Sequence, residues 1–420
     1  MIKAYLKDYS MMYIDCDRGI AAELSEHFSF YVPGYKFMPA YKNRVWDGKI
    51  RLFNGMNGEL NAGLFVYLYN FCKERGYKPD VVETDYGLPY EENKFDEDDF
   101  NAMLNEINTP FPLRDYQRNA VTQAIRRERA ILLSPTGSGK SFIIYTLVRW
   151  ILRQEEGFRI LIIVPTTSLV EQLYSDFKDY GWDVDKNIHK IYSGKDKMTT
   201  KSVVISTWQS IYKFPKQWFN QFYAVFGDEC HGFKSKSLSS IMNKATEAKY
   251  RYGTTGTLDG TQTHKLVLEG LFGPVYKVTT TKELQDNDTL APLDITVLLL
   301  NYPEDVRSNF GKQTYQQEID FLVKHPSRNK LIKNLALSQK GNTLVLFQLV
   351  DKHGQALYDL ISNGAREGRK VFFVHGDVAA SDREAIRKIV EKQKDAIIVA
   401  SMGTFSTGIN IKNIHNICLL

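Results

Sequence analysis

The chain has 420 residues, which is long enough for roughly two or three domains that each bury a hydrophobic core. Its hydrophobic content of 43% and its charged content of 25% are ordinary for globular proteins, which argues against a disordered or fibrous chain. The net charge of +5 permits a nucleic-acid partner but does not require one.

Apolar runs and cysteines bear on the compartment in which the protein works. No apolar run reaches the roughly 18 to 20 residues that span a bilayer, and the N-terminus mixes charges into each apolar stretch, unlike a signal peptide. These patterns predict no membrane association and a cytoplasmic location. The four cysteines form no CxxC pair and the eight histidines form no HxxxH cluster, so we expect buried free thiols in a reducing compartment rather than a zinc site.

The first 110 residues fall into two predicted segments. Residues 1–83 are predicted to form a small α+β domain. Residues 84–110 include YEENKFDEDDF, which is acidic and shows little periodicity, and we expect a solvated linker there. The next domain should therefore begin near residue 111.

From residue 111 onward, short β-branched runs alternate with longer amphipathic stretches, which is typical of a parallel sheet flanked by helices. The predicted strands lie at residues 130–134, 160–165, 203–207, 223–229 and 250–257, and then at 343–350, 370–376, 396–401 and 415–420. Because these strands are almost continuously apolar, both faces of each sheet should be covered. The pattern predicts two α/β domains, 111–285 and 286–420.

Residues 130–152 read AILLSPTGSGKSFIIYTLVRWIL, which gives a strand, a glycine-bearing loop and a helix in the order that a phosphate-binding loop requires. Ser134 stands where the GxxxxGK[ST] pattern has its first glycine. The residues predicted to bind a nucleotide here are Pro135, Thr136, Gly137, Ser138, Gly139, Lys140 and Ser141. Backbone amides beside the glycines would approach the phosphates, Lys140 would neutralise their charge, and Ser141 would ligate Mg²⁺. A chance match in a flexible loop is the alternative, and the flanking strand and helix argue against it.

A second constellation follows the next apolar strand, where the chain runs from YAVF into GDECH. Two adjacent carboxylates at a strand end can place one toward a metal ion and the other toward an attacking water. Asp228 is therefore predicted to hold Mg²⁺, and Glu229 to orient and deprotonate water. An exposed acidic turn is the alternative interpretation, and the phosphate loop upstream disfavours it.

The strings SPTGSGKS and DECH resemble motifs I and II of superfamily 2 helicases, and further family motifs follow in the same order. The resemblance implies two RecA-like parallel-sheet motor domains, preceded here by the small α+β domain. It also implies ATP and Mg²⁺ as cofactors. LRDYQ at residues 113–117 resembles the adenine-reading Q motif, which implies that Gln117 contacts the base and that Arg114 supports it.

Two further segments of the chain resemble motifs III and V of the family. GTTGTLDG at residues 253–260 resembles motif III, with Leu258 where many relatives have proline. The resemblance implies that Thr255 and Thr257, together with His231 of DECH, couple ATP hydrolysis to movement. ASMGTFSTGINI at residues 400–411 resembles motif V, which implies that Gly408 and Asn410 approach the nucleotide.

VPTTSLVEQ at residues 164–172 resembles motif Ia, and STWQS at residues 206–210 resembles motif Ib. The nucleic-acid contacts that these motifs and motif V imply are Thr166, Thr167, Thr207 and Thr404. Motif Ia here lacks the arginine that DEAD-box RNA unwinders carry after the threonine, and STWQS replaces their Thr-Pro-Gly-Arg run. These strings are similar to those of the DNA-directed translocase branch.

Over its whole length the chain is similar to phage-encoded recombination and fork-remodelling helicases. The resemblance implies ATP-dependent translocation that remodels branched, forked or junction DNA by unwinding, branch migration or fork regression. It further implies a monomeric enzyme in the host cytoplasm. An RNA or RNA:DNA-hybrid unwinder is one alternative function, and an ATP-gated DNA-binding module without efficient turnover is another.

Residues 35–53 offer a separate indication of nucleic-acid binding. Here Lys42, Arg44, Lys49 and Arg51 are interleaved with aromatic rings, which suits phosphate contacts combined with base stacking. The alternative is a β-hairpin that turns at WDGK, with the rings in its core and the charges on a solvated face. The sequence leaves both interpretations open.

Motif VI carries an arginine finger in this superfamily and should follow motif V. No QxxGRxxR-like string occurs between residues 296 and 420. We therefore expect a C-terminally incomplete second motor domain that binds ATP but hydrolyses it poorly, since such a finger raises turnover by about 10³ to 10⁵-fold.

Overall fold

The computed structural model describes residues 2–90, 95–192, 196–258, 260–310, 313–405, 411 and 413–420. The chain divides into two compact units, Met1–Leu293 and Asp294–Leu420. The first unit holds a small mixed sheet and a large parallel sheet, and the second holds a smaller parallel sheet. The predicted fold class, a small α+β domain followed by α/β domains with parallel sheets, is confirmed.

The N-terminal part of the first unit is built on a five-stranded sheet of order β5-β6-β2-β1-β7. The strands of the whole N-terminal part are β1 (Ile2–Leu6), β2 (Met11–Cys16), β3 (Ser29–Tyr31), β4 (Lys49–Arg51), β5 (Phe53–Asn54), β6 (Glu59–Asn61) and β7 (Pro79–Val82), and its helices are α1 (Arg18–His27), α2 (Pro39–Lys42) and α3 (Phe65–Glu74). Strands β3 and β4 pair with each other in a separate antiparallel ladder. Alternate residues of β1 and β2 are buried, as expected for a sheet with one covered face.

The large sheet of the first unit has seven parallel strands in the order β10-β11-β9-β12-β13-β8-β14. The elements are α4 (Glu97–Ile107), α5 (Asp115–Arg127), β8 (Arg129–Leu133), α6 (Lys140–Gln154), β9 (Ile160–Val164), α7 (Thr167–Asp179), α8 (Val184–Asn187), β10 (Ile188–Ile191), β11 (Val203–Thr207), α9 (Trp208–Ile211), α10 (Lys216–Phe219), β12 (Ala224–Asp228), α11 (Lys236–Lys244), β13 (Tyr250–Thr255), α12 (Gln262–Phe272), β14 (Val275–Lys277) and α13 (Thr281–Asp286). Two apolar cores cover its two faces.

The second unit has a four-stranded parallel sheet of order β16-β17-β15-β18. Its elements are α14 (Glu304–Phe310), α15 (Tyr315–Lys324), α16 (Pro326–Ser338), β15 (Thr343–Phe347), α17 (Gln355–Gly364), β16 (Val371–Val374), α18 (Ala380–Glu391), β17 (Ile397–Ser401), α19 (Met402–Phe405) and β18 (Asn416–Leu419). Asn342 lies fully buried at the start of β15, where its side chain bonds the backbone of four residues: Val390, Gln393, Ala396 and Asn413.

The segment 84–110 differs from the predicted solvated linker. Residues 97–107 form helix α4, whose Phe100, Met103 and Ile107 are buried in the core of the large sheet. Asp96 caps this helix by accepting a hydrogen bond from the Asp99 amide at 3.0 Å. The apolar residues recur at helical spacing inside an acidic stretch, and the acidic composition concealed that period. The linker interpretation is wrong for this part, while the boundaries at 83, 110 and 285 stay predictions.

Close backbone packing joins the N-terminal sheet to the large sheet. Gly63 lies so near α12 that a Cβ on it would come within 2.0 Å of the Glu269 carbonyl oxygen. The buried Glu269 carboxylate accepts hydrogen bonds from the Tyr67 hydroxyl at 2.6 Å and from the Val275 amide at 3.2 Å. Leu266 of α12 belongs to the N-terminal apolar core. The two sheets are therefore parts of one compact unit.

We predict that Gly63→Ala loosens this joint, because the new methyl group cannot fit against the α12 backbone. Overpacking of this kind costs typically about 1 to 3 kcal/mol, so the melting temperature should fall by several degrees. Gly376→Ala is the control, since nothing lies within 4 Å of a Cβ built there. Thermal unfolding followed by circular dichroism measures both variants, and equal melting temperatures for the two would contradict this packing.

Candidate active site

The predicted phosphate loop connects β8 to α6. Gly137 and Gly139 have φ angles of +82° and +81°, a left-handed conformation that favours glycine. Gly139 is the N-cap of α6, so the first free amides of that helix face the loop. This is the geometry that binds phosphate. Pro135 and Thr136 form the first half of the same loop.

Ser134, which replaces the usual glycine, fixes the loop to the sheet. Its amide donates to the Thr255 carbonyl oxygen at 2.8 Å, and its hydroxyl lies 2.6 Å from the Ser138 hydroxyl. The Ser138 hydroxyl in turn donates to the Pro135 carbonyl oxygen at 2.6 Å. Both serines are fully buried. The departure from the pattern is therefore compatible with a well-formed loop.

The Q-motif glutamine packs directly against this loop. The Gln117 amide nitrogen donates to the Ser138 carbonyl oxygen at 2.9 Å, and its amide oxygen accepts from the Arg114 backbone amide at 2.9 Å. Tyr116, which the sequence did not single out, donates its hydroxyl to the same Ser138 carbonyl at 3.0 Å and accepts from the Arg114 guanidinium at 2.9 Å. These bonds let Gln117 position the loop, and its contact with adenine stays a prediction.

Lys140 and the two carboxylates meet at the end of β12. The Lys140 Nζ lies 3.1 Å from the Glu229 Oε1 and is largely buried with it. Asp228 accepts a hydrogen bond from the Thr254 hydroxyl at 2.7 Å. Burial raises the pKa of the Asp228 carboxyl, and the Thr254 hydrogen bond and the Lys140 charge oppose that rise. A cation beside Asp228 would therefore be favoured.

Glu229 leads into the predicted coupling residues. Its backbone is left-handed, with φ +49° and ψ 48°, which directs its side chain toward Lys140 at the cost of some strain. The His231 Nδ1 lies 3.4 Å from the Glu229 Oε2 and 3.0 Å from the Thr255 hydroxyl. The Thr255 hydroxyl also lies 3.0 Å from the Thr257 carbonyl oxygen, to which it can donate. A continuous chain of contacts thus joins Lys140 to Thr257.

The predicted Mg²⁺ ligand Ser141 is the second residue of α6. Its hydroxyl lies 2.7 Å from the hydroxyl of Tyr180, at the end of α7. Burial raises the pKa of Tyr180 to about 12, so this phenol stays protonated at neutral pH. The sequence gave no reason to expect Tyr180 here, because 39 residues separate the two hydroxyls.

Motifs Ia and Ib lie at the same edge of the large sheet. Thr166 caps α7 by accepting a hydrogen bond from the Leu169 amide at 3.3 Å, and Thr167 begins that helix. Thr207 ends the neighbouring strand β11, and its hydroxyl is 2.9 Å from that of Ser210. The contacts of these threonines with nucleic acid stay predictions.

Motif V belongs to the second unit. The Thr404 hydroxyl lies 2.6 Å from the Ser401 hydroxyl at the end of β17. The other two predicted residues of this motif, Gly408 and Asn410, lie outside the described residues. Their roles stay predictions.

Residues 29–51 form a segment, here called the cationic lobe, in which β3 and β4 are joined by a short 3₁₀ helix and α2. The WDGK hairpin interpretation is wrong, because β4 pairs with β3 and not across that turn. The rings are also not all in a core: Tyr31 is 53% exposed and Phe37 is 80% exposed.

The four predicted cations of the lobe differ in their surroundings. Arg51 forms an ion pair with Asp47, and the Lys49 ammonium lies 4.9 Å from the centroid of the Tyr31 ring. Lys42 and Arg44 are exposed, and the ion pairs found among the described residues do not include them. These two have the charge most accessible to a phosphate backbone.

Comparison with known proteins assigns the family. Residues 1–82 match the model for the DNA helicase UvsW N-terminal region, and residues 110–260 match the model for the res subunit of type III restriction enzymes. The ATP-dependent DNA helicase UvsW of Enterobacteria phage T4 is 37% identical over 434 residues, covering 100% of this chain and 84% of the relative. The chain belongs to the UvsW family. The expected resemblance to phage recombination helicases is confirmed.

Structural relatives agree with the family. The crystal structure of T4 UvsW has a TM-score of 0.60 at 36% identity and covers 100% of this chain and 83% of that one. The DNA 3'-5' translocase XPB2 of Sulfurisphaera tokodaii is 30% identical over 197 residues, covering 47% of this chain and 42% of the relative. The DNA-bound helicase MrfA shares the fold, with 14% identity and a TM-score of 0.53. The match covers 78% of this chain and 48% of the MrfA chain.

We predict that Glu229→Gln retains nucleotide binding while its ATP turnover falls by about 10² to 10⁴-fold, because an amide can bond water but cannot take its proton. Loss of the carboxylate also frees Lys140 for the phosphates. Phosphate release measures the rate of ATP turnover, and titration with fluorescent ADP measures nucleotide affinity. Lys140→Ala is the comparison and should lose nucleotide binding itself. Weakened binding in Glu229→Gln to the level of Lys140→Ala would remove Glu229 from its assigned role.

Proposed function

We propose that this protein uses ATP hydrolysis to move along DNA and to remodel branched, forked or junction DNA. The observation that carries the proposal is the chain of contacts from Lys140 through Glu229 and His231 to Thr255. It lies at the sheet edge that also carries motifs Ia and Ib. One edge thus holds groups suited to a triphosphate and groups suited to a nucleic-acid strand.

ATP and Mg²⁺ fit the residues at this edge. Hard oxygen ligands suit Mg²⁺, and the Asp228 carboxylate and the Ser141 hydroxyl supply them. When bound, the cation would neutralise phosphate charge. Lys140 would exchange Glu229 for a phosphate oxygen, and the carboxylate so released could accept a proton from water. Because His231 lies beside both Glu229 and Thr255, that exchange would also alter the contact of His231 with Thr255, the last residue of β13.

Coupling to DNA follows from the shared edge. β9, whose last residue begins motif Ia, is hydrogen-bonded to β12, which ends at Asp228. β11, which ends at motif Ib, is the next neighbour on the other side of β9. A change at the phosphates therefore has a short path to the predicted nucleic-acid threonines.

We also propose that the protein is a monomer and works in the cytoplasm. Among the described helices, none is long and apolar enough to cross a bilayer.

A panel of nucleic acids tests the substrate. Single-stranded DNA, duplex DNA, a fork, a four-way junction and an RNA:DNA hybrid are compared for binding and for stimulation of ATP turnover by the same protein. We expect the fork and the junction to bind most tightly and stimulate most. Preference for the hybrid would favour an RNA-directed unwinder, and tight DNA binding without stimulation would favour an ATP-gated binding module.

The cationic lobe is proposed to add phosphate contacts to this grip. Lys42→Gln/Arg44→Asn removes two exposed charges of the lobe, and asparagine tolerates the left-handed backbone of Arg44, whose φ is +57°. If both cations contact phosphates, the slope of log affinity against log salt should lose about 0.7 to 0.9 per contact. Binding titrations on junction DNA at several salt concentrations measure this slope.

Lys73→Gln/Lys78→Gln is the matched control, since it removes two exposed charges from the same domain outside the lobe. Its slope should equal that of the unmodified protein. Identical slopes for both double variants would mean that Lys42 and Arg44 belong only to a solvated face. ADP affinity should be unchanged in both, because neither pair belongs to the ATP site.

A further inference from the structure

The hydroxyl of Ser141 is not free in this structure. Among the contacts of the described residues, its partner is the Tyr180 hydroxyl at 2.7 Å, and either oxygen can be the donor. Tyr180 is the C-cap residue directly after α7, and Ser141 is the second residue of α6, so the bond joins the helix that follows the phosphate loop to the helix that carries motif Ia. Tyr180 lies outside the segments of this chain that resemble the family motifs.

Four rings and one backbone bond fix the position of the Tyr180 hydroxyl. The ring is 8% exposed and lies 4.9 Å from the Phe142 ring, 5.2 Å from Tyr145 and 5.7 Å from Phe111 between centroids. The Phe177 ring is at 6.4 Å. The Tyr180 amide donates to the Asp176 carbonyl oxygen at 3.0 Å. A phenol held in this way offers a rigid reference point for a short, rotatable serine side chain.

A serine that ligates a cation must turn a lone pair toward the ion and its hydrogen away from it. That hydrogen then needs an acceptor on the far side, and the Tyr180 oxygen stands at hydrogen-bond distance. We propose that Tyr180 is a positioning residue that accepts a hydrogen bond from the Ser141 hydroxyl and so orients the Ser141 oxygen toward Mg²⁺. The inference rests on the proposed ATP site, with Ser141 as a ligand of the cation.

A purely structural role for Tyr180 predicts something different. Phenylalanine would fill the same ring cluster, and it would remove only the hydroxyl that reaches Ser141. A hydrogen bond that instead held Ser141 away from the cation would predict tighter Mg²⁺ binding after its removal. The sign of the change in Mg²⁺ dependence therefore separates the three possibilities.

The test is Tyr180→Phe, studied by equilibrium titration of fluorescent ADP at a series of free Mg²⁺ concentrations and again in EDTA. We expect the Mg²⁺ concentration at half-maximal binding to rise about 3- to 10-fold, the factor that one neutral hydrogen bond is worth. Affinity in EDTA should not change. Tyr145→Phe is the matched control, because it removes a buried hydroxyl from the same ring cluster that bonds Arg149 and not Ser141.

A second variant tests the same idea from the serine side. Ser141→Thr keeps the hydroxyl and stiffens its side-chain torsion by β-branching, so adding Tyr180→Phe to it should shift the Mg²⁺ dependence less than Tyr180→Phe alone. An unchanged or lowered half-maximal Mg²⁺ concentration in Tyr180→Phe would overturn the inference, as would an equal loss of affinity in EDTA.

These outcomes are distinguishable from failure of the proposed ATP site itself. If the unmodified protein bound ADP without any response to Mg²⁺, or if Lys140→Ala bound it normally, the site assignment would fall. If those controls behave as expected and Tyr180→Phe matches Tyr145→Phe, only the role of Tyr180 is refuted.

Discussion

Every strand of the seven-stranded sheet points the same way, and the site depends on that constraint. The carboxyl ends of β8, β13, β12 and β9 lie side by side, so the phosphate loop, Thr255, Asp228 and motif Ia meet although they are spread over more than a hundred residues. Helices on both faces supply the burial that such a sheet requires. The chemistry is therefore concentrated where the sheet presents its free ends.

The ion pair of Lys140 and Glu229 is the most informative contact at that edge. A largely buried pair contributes little net stability, since desolvation offsets much of the attraction, but loss of either partner leaves an uncompensated charge. Lys140 can therefore exchange the Glu229 carboxylate for another anion, and a phosphate group is such an anion. The left-handed backbone at Glu229 keeps the carboxylate within reach of both Lys140 and His231.

The sequence predicted the parts of the fold and site whose signal is local. The phosphate loop, Asp228 and Glu229 were found because each lies in a contiguous strand-and-loop string, and all nine predicted strands of the two α/β domains match observed ones. Contacts between distant residues gave no such signal: Tyr180 with Ser141, and Tyr67 with Glu269, are 39 and 202 residues apart. Helix α4 was missed for another reason, since its acidic composition masked a helical period.

The joint at Gly63 affects how the N-terminal domain can be studied. Cutting the chain near residue 83 would expose the α12 backbone and would leave the buried Glu269 carboxylate without its hydrogen bond from Tyr67. It would also remove the Tyr9 carbonyl oxygen, which accepts a hydrogen bond from the Arg129 guanidinium at 3.0 Å. A shortened protein would then lose activity through a damaged motor as readily as through a lost DNA contact. Surface substitutions, and not domain deletion, are the perturbation that this architecture allows to be interpreted.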